Sequence, residues 1–148
     1  MESPRPRLHH IALTVTDLEA STEWYQNVFR ISFVADFPHQ GGVGRLLSDE
    51  ARGLGIVLHR HDTNEGEGFK ETRTGLDHVG FALSSHADLE EWQIHLEEQG
   101  VARVEAADRP LTQSPIADES YGSILVFRDP DNIQLELYAP PEGGGVAP

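Results

Sequence analysis

Three side chains that favour metal ions stand in three alternating segments of the sequence. His10 and His78 each lead such a segment, and Glu136 lies in a third segment of the same kind. Two imidazoles and one carboxylate on rigid strands form a facial ligand set that suits Fe(II) and also serves Mn(II) or other divalent ions. Three protein ligands leave positions open for a substrate with two adjacent oxygens, for water or for O₂. We therefore take these residues as candidate metal ligands.

The alternation of each segment predicts which way these side chains point. In residues 10–15 and 78–83 the large apolar residues share one face, and the leading histidine shares the other face with small residues. In residues 133–138 the apolar residues alternate with polar ones, so Glu136 points away from the core. Taken singly, a strand histidine more often bonds to backbone and a strand glutamate more often faces solvent. The recurrence of a leading histidine in both segments favours a shared site.

The two histidine segments form a weak internal repeat that organises the chain. Each is followed by a helical pattern, which Asp17 can cap in the first half and Ser85 or Asp88 in the second half. Turn chemistry over residues 129–132 predicts a hairpin between the last two strands. Three strand-like runs follow each helix: Ile31–Phe37, Val43–Ser48 and Gly55–His61 in the first half, and Val101–Glu105, Ser123–Arg128 and Ile133–Tyr138 in the second.

This pattern predicts an α+β fold of two tandem βαβββ modules. Their sheets are expected to form a shared concave cavity, with the helices on the outer face. The chain of 148 residues is interpreted as a single domain. Module one spans about 7–62, a polar linker 63–75, module two about 76–140 and a flexible Pro/Gly-rich tail 141–148. Residues 108–119 are expected to form a second long loop, and long loops are often functional.

Composition excludes several classes of function. The chain has 11 basic and 25 acidic residues and a formal net charge of −14, which disfavours nucleic acid and anionic membranes as partners. It has no cysteine, which rules out disulfides, thiolate zinc sites, Fe–S clusters and cysteine nucleophiles. No apolar run approaches the length of a membrane span, and the N-terminal residues lack the apolar stretch of a signal peptide. We therefore expect a soluble, cytoplasmic protein.

The sequence from residue 8 to residue 140 resembles the vicinal oxygen chelate superfamily, the group of glyoxalases, bleomycin resistance proteins and extradiol dioxygenases. The segments that carry the resemblance are residues 10–18, 76–79 and 127–137. The resemblance implies metal ligands at the first strand of each module and at the final strand, which correspond to His10, His78 and Glu136. His9 competes with His10 but has the wrong parity relative to His78. The resemblance also implies a homodimer, with each pocket built within one chain or across two.

Two positions depart from common patterns of the superfamily. Many members carry a fourth ligand, usually glutamate, on the last strand of module one, and here either Val57 or His59 falls opposite Glu136, depending on register. His59 is a candidate fourth ligand or proton-transfer group, and a polar strand end near solvent is an equal alternative. Extradiol members place a tyrosine ten residues before the final glutamate, where this chain has Val126. Tyr121 is the candidate substitute, or else a simple loop aromatic.

The resemblance implies a divalent-metal-dependent enzyme that acts on a small molecule with adjacent oxygens. Fe(II), the first choice, favours dioxygenase-type chemistry, whereas Mn, Ni, Co or Zn favours glyoxalase-like lyase or isomerase chemistry. His59 and Tyr121 are the candidate catalytic residues for proton transfer. The alternative is a metal-free protein of the bleomycin-resistance type that sequesters a small molecule, since an acidic groove suits a cationic ligand. A single lysine, Lys70, and no evident arginine cluster count against a fosfomycin-resistance activity.

Overall fold

The computed structural model describes residues 2–143, which divide into two compact units at the Glu65–Gly66 bond. The part of the predicted tail from residue 144 to residue 148 lies outside the described residues. Neither helix within residues 2–143 is long and apolar enough to cross a membrane. Each unit contains one sheet and one longer helix, so the predicted α+β fold class is confirmed.

The first unit is built in the predicted βαβββ order. The elements are β1 (Ile11–Thr14), α1 (Leu18–Phe29), β2 (Ser32–His39), β3 (Gly42–Asp49) and β4 (Leu54–His61). The sheet has the strand order β1-β4-β3-β2, with β1 parallel to β4 and the other neighbours antiparallel. A short 3-10 turn, Glu50–Arg52, connects β3 to β4.

One face of this sheet is buried and the other carries the histidines. The side chain of Asp17 caps α1 by accepting a hydrogen bond from the Ala20 amide at 3.0 Å. The helix packs against β4 and β2 through its apolar side. Leu13 and Val15 are buried, whereas Ala12 and Thr14 between them are exposed. The alternation predicted for this strand is therefore present, and His10 precedes it on the exposed parity.

The second unit begins in the same way and then departs from the prediction. Its sheet runs β5-β10-β9-β7-β6, and β8 pairs with β9. The prediction of one uninterrupted loop over 108–119 was wrong, because two short strands form there, and Val101–Glu105 contains only a two-residue strand. Strands of two or three residues are too short to show alternation. The elements are β5 (Val79–Ala82), α2 (His86–Glu98), β6 (Ala102–Arg103), β7 (Thr112–Gln113), β8 (Ala117–Glu119), β9 (Gly122–Arg128) and β10 (Gln134–Ala139).

The hairpin that delivers β10 is held by its own turn. Strands β9 and β10 pair antiparallel, as predicted. One carboxylate oxygen of Asp129 accepts hydrogen bonds from the amides of Asp131 and Ile133, both at 2.8 Å. Asn132 takes the left-handed backbone conformation with φ of 69°, which asparagine tolerates better than most residues. This turn fixes the residue at which β10 begins, and it thereby fixes the position of Glu136 along the strand.

A buried arginine ties the polar segment before β5 to this hairpin. The guanidinium of Arg128 donates two hydrogen bonds of 2.9 Å to the carboxylate of Glu71 and one of 2.7 Å to the Ala107 carbonyl. Only 5% of the Arg128 side chain is exposed. The hydrogen bonds from Arg128 lower the pKa of Glu71 to about 2. Part of the predicted linker is therefore anchored by a largely buried ion pair.

Candidate functional site

Two of the predicted ligands lie side by side in the second unit. In the parallel pairing of β5 with β10, Glu136 stands opposite Gly80, two residues after His78. The Nε2 atom of His78 lies 3.6 Å from Oε2 of Glu136. The two side chains are 40% and 22% exposed, so both reach solvent. A Cβ atom added at Gly80 would meet nothing within 4 Å, which leaves the space beside this pair open.

The other ring nitrogen of His78 is held by Asp77. Nδ1 of His78 lies 2.7 Å from Oδ1 of Asp77. Because an ionised carboxylate can only accept a hydrogen bond, this contact places a ring proton on Nδ1 and turns Nε2 towards Glu136. A carboxylate behind the histidine in this way is the usual arrangement around ligating imidazoles.

Asp77 is itself positioned by a chain of hydrogen bonds that reaches the buried arginine. Nε2 of Gln134 donates to Oδ1 of Asp77 at 3.1 Å, and Oε1 of Gln134 accepts from Arg128 at 3.1 Å. A continuous chain of hydrogen bonds therefore runs through Glu71, Arg128, Gln134, Asp77 and His78. Sequence reasoning missed these supporting residues. The available signals were the place of Asp77 directly before His78 and of Gln134 on the Glu136 face of its strand.

His10 lies in the first unit, at the edge of the exposed sheet face. A Cβ atom added at Gly55 on β4 would lie 3.6 Å from the Cβ of His10, so the two strands approach closely here. The Nδ1 atom of His10 is 2.9 Å from Nδ1 of His9, the alternative ligand in this segment. Both histidines are exposed.

Strand register decides which residue repeats the position of Glu136. Glu136 pairs with Gly80, two residues after His78, and Val57 pairs with Ala12, two residues after His10. The equivalent of Glu136 in the first unit is therefore Val57, whose side chain cannot bind a metal. His59 pairs with Thr14 and lies two residues after Val57, on the same face of the strand.

His59 is partly buried among other imidazoles. Burial lowers its pKa, and the neighbouring rings of His39, His61 and His10 lower it further because each disfavours another positive charge. His59 is consequently neutral at neutral pH and able to accept a proton. Its role as a catalytic residue remains a prediction.

A mainly apolar cavity opens on the same face of the first unit. Its volume is about 310 Å³. Phe37, Leu46 and Val57 supply apolar walls, and His10 and His59 also line it. An imidazole beside hydrocarbon walls is a setting in which a small organic molecule can be both held and oriented.

Tyr121 lies in the turn between β8 and β9. It is 48% exposed, and its carbonyl accepts a 2.7 Å hydrogen bond from the hydroxyl of Tyr138, which shares a strand with Glu136. The residue directly opposite Glu136 on β9 is Val126. A proton-transfer role for Tyr121 remains a prediction.

The donor set of the second unit fits a divalent ion as a partial site. Across residues 2–143, no group of three or more histidine, aspartate or glutamate side chains is arranged around one point. The 3.6 Å separation of the His78 and Glu136 donor atoms is nevertheless close to that of two ligands with bonds of about 2.0–2.2 Å to one ion. A neutral imidazole and a carboxylate, with the imidazole oriented from behind, are ligands suited to Fe, Mn, Ni, Co or Zn.

Replacing Asp77 with alanine is expected to weaken divalent-metal binding about 10- to 100-fold without unfolding the chain. The reason is that His78 loses the acceptor that holds its ring and fixes its proton on Nδ1. Metal affinity is measured by calorimetric titration of the metal-depleted protein. Asp108→Ala, which removes an exposed carboxylate paired with Arg109, serves as the charge-matched control. Equal affinities in the two variants would contradict the positioning role of Asp77.

The family model of the glyoxalase/bleomycin resistance protein/dioxygenase superfamily matches residues 7–137. No curated protein matches the chain. The structure of a glyoxylase/bleomycin resistance protein/dioxygenase domain from Frankia sp. EAN1pec is 32% identical, with a TM-score of 0.80, and the match covers 95% of this chain and 96% of that one.

More distant structures share the fold. A glyoxalase family protein from Enterococcus faecalis is 18% identical, with a TM-score of 0.70, over 89% of this chain and 96% of that one. A mutant of the fosfomycin resistance protein FosX from Listeria monocytogenes, crystallised with Mn(II) and 1S,2S-dihydroxypropylphosphonic acid, is 22% identical. Its TM-score is 0.61, over 92% of this chain and 93% of that one. At these identities the likeness shows the fold alone.

Proposed function

Since the chain belongs to the glyoxalase/bleomycin resistance protein/dioxygenase superfamily, we propose that it is an enzyme that uses a divalent metal ion to act on a small molecule with adjacent oxygens. One observation carries the proposal. His78 directs Nε2 towards Glu136 at 3.6 Å while Asp77 holds its Nδ1 at 2.7 Å. A carboxylate at each ring nitrogen, Asp77 at Nδ1 and Glu136 at Nε2, is the arrangement expected of a histidine that binds a metal beside Glu136.

His78 and Glu136 are proposed as two ligands and His10 as the third, as the resemblance implies. Fe(II) is the first choice and Mn, Ni, Co or Zn the alternatives. The ion, when bound, supplies Lewis acidity to two substrate oxygens and stabilises negative charge that develops on them. With iron we propose dioxygenase-type chemistry, and with the other ions lyase or isomerase chemistry of the glyoxalase kind.

The chain's own residues supply the rest of the proposed chemistry. His10 lines the apolar cavity of the first unit, so a substrate held there would lie beside one of the proposed ligands. Phe37 and Leu46 hold its hydrocarbon part away from water. His59, kept neutral by burial and by neighbouring imidazoles, accepts a proton from the substrate at a ring nitrogen. A homodimer and a cytoplasmic location remain predictions.

The same cavity favours a second candidate function, a metal-free protein that binds and sequesters a small molecule. Its walls are mainly apolar and its volume is about 310 Å³, which suits a small organic ligand. The net charge of −14 favours a cationic one. Such a protein would bind its ligand equally well with and without metal.

Removing metal with a chelator is expected to abolish turnover, and restoring one divalent ion is expected to recover it. The metal-depleted protein is reconstituted with Fe(II) under anaerobic conditions, or with Mn, Ni, Co or Zn, and screened against vicinal diols, enols and α-hydroxy carbonyl compounds. O₂ consumption separates the dioxygenase from the lyase or isomerase. Ligand binding that a chelator leaves unchanged, together with no turnover under any ion, would favour the sequestering protein and contradict the enzyme.

A further inference from the structure

Three histidines of the first unit meet above a strand that has no side chains at that point. His39 ends β2, and His59 and His61 lie two residues apart near the end of β4. Between them runs β3, where Gly42 pairs with both His39 and His61, and Gly44 pairs with His59. The histidine rings of β2 and β4 therefore share the space over β3, the strand between them.

The two glycines of β3 are what makes room for these rings. A Cβ atom added at Gly44 would lie 2.8 Å from Cε1 and 3.0 Å from Nε2 of His59. A Cβ atom added at Gly42 would lie 3.0 Å from Cε1 of His39 and would also strike the Arg60 carbonyl. Any other residue at these positions would displace the imidazoles.

The ring nitrogens approach at a distance typical of two ligands on one ion. Nδ1 of His59 lies 3.4 Å from Nε2 of His39. Two nitrogens bonded to a tetrahedral ion at about 2.0–2.1 Å are separated by about 3.3–3.4 Å. Nδ1 of His39 is 3.1 Å from the Gln40 carbonyl, an acceptor that places the ring proton there and leaves Nε2 free for a ligand.

His61 stands beside this pair. Its ring is stacked on that of His59 with centroids 5.7 Å apart and lies 5.5 Å from the centroid of His39. Because His39 and His61 are both exposed, the His61 ring is free to rotate towards the other two. The cluster needs this rotation to converge, in keeping with the absence of a pre-formed three-ligand group in residues 2–143.

We propose that His39, His59 and His61 form a second metal site, which shares no ligand with the site assigned to His10, His78 and Glu136 and which binds an imidazole-preferring transition ion such as Zn²⁺. An ion bound there would occupy one ring nitrogen of His59, leave the ring proton on the other, and so prevent the proton transfer proposed for this residue. Three neutral nitrogens favour zinc, nickel or copper over the oxygen-seeking ions Mg²⁺ and Ca²⁺. The strongly acidic chain raises the local concentration of any cation. Binding would join the ends of β2 and β4 across β3.

The test titrates Zn²⁺ into the metal-depleted Glu136→Gln variant, which lacks the carboxylate ligand of the other proposed site. We expect one binding event in this background, and His39→Gln or His61→Gln added to it is expected to weaken that event by at least about tenfold. His95→Gln on α2, where the ring packs against Trp92, serves as the control and is expected to leave the Zn²⁺ affinity unchanged. Unchanged Zn²⁺ affinity in both cluster variants would overturn the proposal.

A second measurement needs no substitution in the cluster. Zn²⁺ added to the metal-depleted Glu136→Gln variant is expected to shift the ring-nitrogen resonances of His39, His59 and His61 together and to leave His95 in place. Shifts confined to other histidines would overturn the proposal, as would equal effects of Mg²⁺. Because the site is tested in the absence of Glu136, the outcome is distinguishable from a failure of the proposed function.

Discussion

Glu136→Gln is expected to lower the affinity for the proposed catalytic ion by at least about 100-fold and to abolish metal-dependent turnover, while leaving the fold intact. The amide has the shape of the carboxylate but lacks its charge, and it replaces one of the two oxygens of a group that lies 3.6 Å from Nε2 of His78. The side chain is on the open face of β10, with 22% exposed, so little packing is disturbed. Calorimetric metal titration and an activity assay measure the effect, and thermal unfolding checks the fold.

The matched control for this variant is Glu119→Gln on β8, which makes the same change of charge at an exposed position. It is expected to keep both the ion and the activity. This control is needed because so acidic a chain attracts cations without a dedicated site. A Glu136→Gln protein that binds metal and turns over substrate as the control does would show that Glu136 is not a ligand.

Arg128→Met is expected to lower the free energy of unfolding by about 3 kcal/mol, because it removes the cation from a largely buried ion pair and leaves its acceptors without a donor. Arg128 holds Glu71, the Ala107 carbonyl and Gln134 at once. Since Gln134 in turn holds Asp77, the variant is also expected to weaken metal binding. Urea unfolding at neutral pH measures the loss of stability.

Acid provides an independent check on the same pair. The pKa of Glu71 is lowered to about 2, so the stability contributed by the pair is complete well above the ordinary glutamate range and is lost as pH falls towards 2. The difference between wild type and Arg128→Met should therefore shrink in acid. Arg103→Met breaks the exposed pair with Glu97 and should cost much less. A loss in Arg128→Met no greater than in this control would contradict the account of a buried anchor.

Local alternation was sufficient to predict the parts of the fold that depend on one strand at a time. Leu13 and Val15 are buried and Glu136 lies on the more open face of β10, because period-two patterning acts within a single segment. The hairpin turn was predictable for a similar reason, since Asp129 bonds to amides only two and four residues away.

Features that depend on pairing between distant segments were not predictable. The choice between Val57 and His59 rests on the register of β1 against β4, and a shift of two residues would exchange them. The bond between Arg128 and Glu71 joins residues 57 positions apart. The histidine cluster exists only because β3, with its two glycines, separates β2 from β4.

The most direct test of the central claim, that His10, His78 and Glu136 bind one functional ion, is elemental analysis of the untagged protein purified without chelators. His10→Ala, His78→Ala and Glu136→Gln are analysed in parallel after the same reconstitution. We predict that wild type carries one ion more per chain than each variant and that all three variants lose the same metal. Equal metal content in wild type and all three variants, or no metal in any of them after reconstitution, would contradict the account.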